Sequence, residues 1–180
     1  MIDLHYVNEL IAVRQEQHGG RRGAPKLEGR HRVGASLNRS CIVMLSALLQ
    51  AHVEDVFKCA AKSKFLELDQ NVEYFELYWK QMKNWGNPSD INIKNLFIKI
   101  GIPNVLDNLS WQRTNTADIK NRLDELNQIR NKISHGSKKI TVNGNSFDLN
   151  LSKVIVLRNF TENFGKRFSD HVQWQMNKSI

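Results

Sequence analysis

The sequence predicts an all-α protein, a helical bundle with one small β-hairpin near its C-terminal end. Apolar residues recur at intervals of three and four through most of the chain, which is the spacing of one side of an α-helix. Only one stretch, "KKITVNGNSFDL", instead places the Asn-Gly pair of a tight turn between residues able to form strands. A chain of 180 residues is long enough for one core and short for two. We therefore expect a single domain covering residues 1–180.

The N-terminal half is predicted to hold two helices joined by a loop rich in glycine and arginine. The first helix covers residues 2–17 and carries an apolar side of Ile2, Tyr6, Leu10 and Val13. The second, over residues 33–62, is the most apolar in the chain, and six of its residues are predicted core positions: Cys41, Met44, Leu45, Leu48, Val56 and Phe57. A second side of this helix repeats small and polar residues: Ser40, Val43, Ala47, Gln50 and Glu54. Such a side would admit close approach by another helix, and Gln50 and Glu54 would then point inward.

Polar breaks divide the next part of the chain. A helix over residues 65–85 is followed by "GNPSD", which offers Ser89 or Asp90 as the N-cap of a short helix over residues 91–100. Gly101 ends that short helix, and Pro103 opens a turn that runs to residue 109.

Two long helices flank the predicted hairpin. The first covers residues 117–135, with Asn115 or Thr116 as its N-cap and Gly136 as its stop. The hairpin turns at Asn143 and Gly144. The final helix covers residues 152–176.

The charge of the chain favours a polyanionic partner. The formal net charge is +8, which suits nucleic acid or an acidic membrane surface. The loop after the first helix is strongly basic and contains Glu28 as its only acid. A flexible basic loop can follow a phosphate backbone, although it could equally be a solvated linker. Its predicted RNA-binding residues are Arg21, Arg22, Lys26, Arg30 and Arg32.

The apolar segments favour a cytoplasmic protein without a membrane anchor. The longest apolar run, "CIVMLSALL", is far below the roughly 20 residues that cross a bilayer. The N-terminal stretch "MIDLHYVNEL" lacks the basic and apolar regions of a signal peptide. Cys41 and Cys59 fall about 27 Å apart on one predicted helix, too far for a disulfide.

The stretch "QIRNKISHG" is the strongest candidate for a site. The apolar side of its helix runs through Ile119, Leu123, Leu126 and Ile133, and Arg130 falls where that side should continue. An arginine at such a position needs an acceptor for its charge. His135 lies about 140° around the helix from Arg130, so the two meet only if the last turn loosens or a second chain completes the site. The bare R-x4-H pattern is weakly specific, and a surface arginine with a histidine at the negative end of a helix is its plain interpretation.

Two stretches carry a family resemblance. "RNKISHG" resembles the R-x4-6-H signature of HEPN domains (higher eukaryotes and prokaryotes nucleotide-binding). "SCIVMLSALLQAHVEDVF" is similar to the second helix of the RiboL-PSP-HEPN branch, in which an apolar run leads to an aromatic residue or histidine and then Glu-Asp. The resemblance extends from about residue 4 to residue 174. It implies a HEPN-type helical bundle, homodimerisation across the motif helices and, in many members, RNase activity without a metal.

The motif residues suit metal-independent cleavage of RNA to 2′,3′-cyclic phosphate and 5′-OH ends. Histidine transfers protons near neutral pH, and arginine offers a planar, permanently charged fork to a phosphate. The predicted catalytic residues are therefore Arg130, Asn131 and His135, with Ser134 as a supporting residue. Glu54 could hold Arg130 through an ion pair, or could simply be a packing acid. Several HEPN proteins act in toxin–antitoxin or phage-defence systems, so the resemblance also implies an antitoxin or a trigger as a partner.

Other functions are less well supported. A non-catalytic HEPN-type module that binds RNA or a protein is the main alternative, and it would share the basic surface and the dimer. A helical DNA-binding protein ranks lower because no short helix-turn-helix is recognisable. The sequence lacks C-x2-C, H-x3-H, H-E-x2-H and the glycine-rich phosphate loops, so we expect no metal and no cofactor.

Overall fold

The structure is a computed structural model that describes residues 1–19, 27–28, 31–82 and 84–178. The helices of these described residues are α1 (His5–His18), α2 (Ala35–Lys64), α3 (Leu66–Gln70), α4 (Val72–Met82), α5 (Asp90–Ile98), α6 (Thr116–Ser134) and α7 (Leu151–Lys178). The strands are β1 (Leu27–Glu28), β2 (His31–Arg32), β3 (Thr141–Val142) and β4 (Asn145–Ser146). The all-α fold class predicted from the sequence is confirmed.

Helix α2 is the centre of the bundle, and α1, α6 and α7 pack along it. Helix α7 runs parallel to α2, because Asn38 near the start of α2 donates to the carbonyl oxygen of Leu149 just before α7. Helix α6 runs antiparallel to α2, because Arg39 near the start of α2 reaches the segment that follows α6. The start of α2 and the end of α6 therefore lie at the same end of the bundle.

The buried side of α2 differs slightly from the predicted one. It runs through Ile42, Leu45, Leu49, Val53 and Phe57, all of which are fully enclosed. The predicted core residues Met44 and Leu48 lie at the edge of this side and are only partly buried. By length and composition alone α2 could cross a bilayer, a test that a core helix also passes.

The predicted second side of α2 is largely open in the protomer. Ser40, Val43 and Ala47 are exposed, so no helix among the described residues of this chain covers them. Gln50 and Glu54, farther along the same side, are partly buried. The packing helices α1, α6 and α7 instead cover the apolar residues on the remainder of the helix.

The register predicted for the first helix is wrong. Helix α1 begins at His5 rather than at residue 2, and its buried positions are Val7, Ile11 and Arg14. Tyr6 and Val13, which lie on the predicted apolar side, are exposed. Ile2 and Leu4 are buried, but they lie in the segment before the helix. The spacing counted from Ile2 therefore placed the apolar side of the helix at the wrong residues. A Cβ atom added at Gly165 of α7 would meet the Ile2 side chain at 2.7 Å, so a glycine is needed at this contact.

The helix predicted over residues 65–85 is divided in two. Asn71 is extended, with a φ of −129°, and separates α3 from α4. Its side-chain oxygen accepts a hydrogen bond from the backbone N–H of Tyr74, so it serves as the N-cap of α4. Helix α4 ends at Met82.

The predicted N-caps of α5 and α6 and the predicted hairpin turn are confirmed, whereas α5 ends at Ile98 rather than at residue 100. Ser89 caps α5, accepting from the backbone N–H of Asn92. Asn115 and Asp118 form a reciprocal capping box at the start of α6. The hairpin β3–β4 turns at Asn143 and Gly144, both with positive φ. The pair β1–β2 within the basic loop was not predicted.

Candidate active site

The end of α6 presents the motif in regular helical geometry. The N–H of His135 donates to the carbonyl oxygen of Asn131 at 3.0 Å, a normal helical bond. The helix loosens only behind the histidine: Gly136 adopts a φ of +69°, its N–H bonds to Ile133, and the N–H of Ser137 bonds to Lys132. This is the glycine-terminated closing turn that the sequence predicts. Because it begins after position 135, it does not rotate His135 towards Arg130.

Arg130 lies beside the apolar side of α6 rather than on it. Ile129 is fully buried and continues the row formed by Leu123 and Leu126, so the interpretation of position 130 as a core position is wrong. Arg130 is partly buried, and its Nη1 atom donates to the Oδ1 atom of Asn131 at 3.2 Å. The guanidinium is therefore drawn sideways towards the neighbouring residue.

Asn131 stands between the arginine and the histidine. It is four residues before His135, so the two side chains lie about 40° apart around the helix, on adjacent turns. Its Oδ1 atom accepts from Arg130 and also from the Nδ2 atom of Asn87, 2.9 Å away. Asn131 thus links the guanidinium to the side of the helix that carries His135.

The turn between α4 and α5 supports this arrangement. Besides binding Asn131, Asn87 accepts at its carbonyl oxygen from the Nδ2 atom of Asn92 at 2.8 Å. Gly86 has a φ of +100°, and a Cβ atom there would stand 2.8 Å from Asn92 Nδ2, so the turn requires a glycine. Residues 86–90 were predicted as a helix break that supplies the N-cap of the next helix, and not as part of the site. Asn87 is therefore a site residue missed by the sequence, although the polar composition of "GNPSD" was its available signal.

Glu54 does not pair with Arg130. No ion pair joins these two described residues. The Oε1 atom of Glu54 instead accepts from the Nε2 atom of Gln50 at 3.2 Å and from the indole Nε1 atom of Trp85 at 3.1 Å. Trp85 is two residues before Asn87, so Glu54 is connected to the motif through this turn. Its alternative interpretation, a packing acid, describes the observed geometry.

His135 is exposed, and exposed cations surround it in the sequence. Lys132, Lys138 and Lys139 have exposed side chains. Both Nη atoms of Arg39 donate to the carbonyl oxygen of Ser137 at 3.1 Å, and Nη2 also donates to that of Lys138 at 3.2 Å. Arg39 thereby fixes the segment behind the histidine to the start of α2.

The hairpin is held against α6 by a pair of hydrogen bonds. Gln128 donates through Nε2 to Asn143 Oδ1 and accepts at Oε1 from the Asn143 backbone N–H, both at 2.8 Å. The hairpin is therefore fixed next to the motif helix, less than one turn from Arg130.

The remaining predicted residues are placed as follows. Ser134 is exposed, one turn after Arg130. Arg32 is exposed on β2, whereas Arg21, Arg22, Lys26 and Arg30 lie outside the described residues. Within the described ranges, no group of three or more His, Cys, Asp or Glu side chains is arranged to hold a metal ion.

One acid on α6 has a perturbed pKa. Asp124 is two turns before Asn131 and lies near Asp90 at the start of α5. Burial raises the pKa of Asp124, and the charge of Asp90 raises it further, while a hydrogen bond from the Asp90 backbone acts in the opposite direction. The side of α6 that carries the motif is therefore polar over several turns.

Comparison with known protein families finds a match over most of the chain. A family model described as RiboL-PSP-HEPN matches residues 18–173, which include α2, the turn at Asn87 and the whole of α6. Comparisons with the curated proteins and with the solved structures find no significant match.

Proposed function

The chain belongs to the RiboL-PSP-HEPN family, and we propose that it is a metal-independent endoribonuclease that works as a homodimer. The observation that carries the proposal is the arrangement at the end of α6. The guanidinium of Arg130 is tied to Asn131, one turn from the exposed imidazole of His135. An accessible proton carrier and a phosphate-binding fork thus stand on adjacent turns of one helix.

The proposed reaction is an internal attack within the RNA. The 2′-OH of one nucleotide loses its proton and attacks the adjacent phosphate, and the 5′-oxygen of the next nucleotide leaves with a proton. The products are a 2′,3′-cyclic phosphate and a 5′-OH. His135 would carry one of the two protons, and Arg130 would stabilise the negative charge that grows on the phosphate oxygens. Asn131 would position the guanidinium.

Two features support a homodimer. Each chain supplies one motif histidine, whereas the reaction needs a base and an acid, and a two-fold interface brings two copies of the same residues together. Helix α2 also presents Ser40, Val43 and Ala47 without cover in the protomer. This exposed strip lies between Arg39, which holds the end of the motif segment, and Glu54, which binds the turn next to Asn87. A second copy seated there would lie beside the motif.

The charge distribution supports RNA as the substrate. Lys132, Lys138 and Lys139 are exposed and lie within four residues of the motif histidine in the sequence, and Arg32 is exposed on β2. Such cations neutralise backbone phosphates irrespective of base sequence. The basic residues of the loop, Arg21, Arg22, Lys26 and Arg30, would extend this contact.

The family also motivates a biological setting. A nuclease of this type damages its host unless it is restrained, so we propose a role as a toxin or phage-defence effector in the cytoplasm, controlled by an antitoxin protein or a trigger. A growth defect on expression of the chain alone, absent for His135→Ala, is the expected result.

The decisive experiment is RNA cleavage in EDTA. The wild-type protein should cleave RNA and leave 2′,3′-cyclic phosphate and 5′-OH ends, and His135→Ala should abolish the products. His5→Ala is the matched control, because His5 is an exposed histidine on α1. Intact tRNA, rRNA and mRNA after incubation with wild type would contradict the enzyme and favour a non-catalytic binding module. Full activity in a monomeric variant, such as Val43→Arg, would contradict the composite site.

A further inference from the structure

Arg14 is a buried arginine, two of whose donor atoms have no partner among the described residues. It lies near the end of α1 and is only 3% exposed, and its Nε and Nη1 atoms make no hydrogen bond. A buried guanidinium loses its hydration, and it needs an acceptor to compensate for that loss. None of the described residues supplies an acceptor for these two donors.

The guanidinium lies directly against the start of α2. A Cβ atom at Gly34, the N-cap of α2, would stand 2.4 Å from both Cδ and Nε of Arg14 and 2.8 Å from Cζ. Gly34 also has a φ of +75°, which L side chains rarely adopt. Glycine at position 34 therefore allows the arginine to approach the helix end.

The start of α2 carries uncompensated positive character of its own. Within the part of the chain that the structure describes, no side chain caps it, and its first turn contains no acid. The first N–H groups of a helix have no acceptor within the helix and form the positive end of its dipole. A cation placed here is unfavourable unless an anion accompanies it, so Arg14 and the helix end would both favour the same bound anion.

We propose that Arg14 and the first turn of α2 form a phosphate-binding site. The planar guanidinium would offer Nε and Nη1 to two phosphate oxygens, and the N–H groups of Ala35 and Ser36 would face the same anion. This site is distinct from the motif residues. Among the described residues, Arg14 Nε and Nη1 have no competing acceptor that the anion would have to displace.

The site lies at the end of the bundle that carries His135. Arg39, five residues after Gly34, binds the carbonyl oxygens of Ser137 and Lys138 just behind the histidine. Five residues of helix span about 7.5 Å. We therefore assign the phosphate to the backbone of the bound RNA, at a nucleotide away from the cleaved bond. This assignment rests on the proposed function, whereas the phosphate site itself does not.

Thermal unfolding with inorganic phosphate tests the site. Phosphate at about ten times its Kd should raise the wild-type Tm by about 3–5 °C relative to chloride at equal ionic strength. Arg14→Met should raise the Tm in chloride, because it removes an unpaired buried charge, and should lose the specific response to phosphate. Phosphate also stabilises proteins generally, but that effect is common to both proteins and cancels in their comparison. An equal response in both proteins, or none in wild type, would overturn the site.

A second variant covers the case in which Arg14→Met does not fold. Ser36 is exposed in the first turn of α2, and Ser36→Asp places a carboxylate where the phosphate would sit. It should stabilise the helix end and suppress the phosphate response, whereas Ser36→Asn should keep that response. A full response in Ser36→Asp would overturn the site.

RNA binding separates the two sources of phosphate. With a single-stranded oligoribonucleotide and the His135→Ala protein, adding Arg14→Met should reduce the slope of log K against log salt by about 0.7. An unchanged slope together with a lost phosphate response would overturn the assignment to RNA and identify a site for free phosphate. Absence of RNA cleavage by wild type would overturn the proposed function while leaving the thermal result intact.

Discussion

The side-chain amide of Asn87 donates a hydrogen bond of 2.9 Å to the side-chain oxygen of Asn131. The two residues are 44 positions apart in the chain, and the same oxygen also accepts from Arg130. The contact joins the turn before α5 to the motif of α6. It makes the orientation of the guanidinium dependent on a turn that carries no motif residue.

Asn87→Ala should therefore lower RNA cleavage without preventing folding. Loss of this bond should cost about 1 kcal/mol of stability. Misplacement of Asn131 and Arg130 should slow cleavage roughly ten- to hundred-fold. Single-turnover rates and Tm values measure the two effects. Asn145→Ala is the matched control, because its exposed side chain bonds only within the hairpin. A wild-type rate in Asn87→Ala would show that the turn does not position the motif.

Glu54→Gln should keep nearly full activity. The observed role of Glu54 is to accept hydrogen bonds from Trp85 and Gln50, and the amide oxygen of glutamine can still accept from the indole. Glu54→Leu removes the acceptor and should destabilise the protein by about 1–3 kcal/mol.

Comparing Glu54→Gln with Glu54→Leu distinguishes the two roles that the sequence left open for Glu54, an ion pair with Arg130 and a packing acid. If Glu54 acted through its charge on Arg130, both variants would lose activity to a similar degree. A large loss of cleavage in Glu54→Gln at unchanged Tm would thus restore the ion-pair hypothesis.

Local signals were predicted well because they depend on neighbouring residues. The capping box of Asn115 and the tight turn at Asn143 use side chains and backbone within a few positions. The family, too, was recognised from two contiguous stretches and is confirmed by the match to residues 18–173.

Contacts between distant segments were predicted poorly. The amide of Asn87 has no periodic partner in the sequence, so its bond to Asn131 gives no pattern to detect. The position of Arg130 was misjudged because Ile129 and Arg130 are both compatible with the spacing after Leu126, and only packing decides between them. The burial of Arg14 was also missed, because arginine is rarely buried in proteins.

Asp124→Asn should stabilise the protein at neutral pH. The pKa of Asp124 is raised from its ordinary value of 3.8 by burial and by the charge of Asp90. The folded state therefore holds the proton more tightly than the unfolded state, and ionisation of Asp124 costs stability as pH rises through the folded pKa. The variant should have a higher Tm near neutral pH, and its advantage should disappear below pH 3.8. The exposed Asp170→Asn is the control. A lower Tm for Asp124→Asn at neutral pH would mean that its hydrogen bond from Asp90 outweighs burial.

Acid should destabilise the fold through a buried histidine, His52, and a half-buried one, His171. Burial lowers the pKa of His52, assisted by the positive N-terminus and opposed by Asp55 and a carbonyl at Gly165. Burial also lowers the pKa of His171, opposed by the backbone at Asp107 and Val105 and by the Asp107 charge. The unfolded chain therefore takes up protons first as the pH falls below the ordinary value of 6.5. The stability present above that pH is lost as the pH falls through the two folded pKa values.

His52→Met provides the test of this pH dependence. The Nε2 atom of His52 is buried and has no hydrogen-bond partner among the described residues. An apolar residue of similar length therefore removes both the titrating group and an unsatisfied polar atom. Tm values measured between about pH 7.5 and about pH 5 should fall less steeply for His52→Met than for wild type. His5→Gln, which changes an exposed histidine, should follow the wild-type curve. Parallel curves for wild type and His52→Met would mean that His52 takes up its proton equally in the folded and unfolded states.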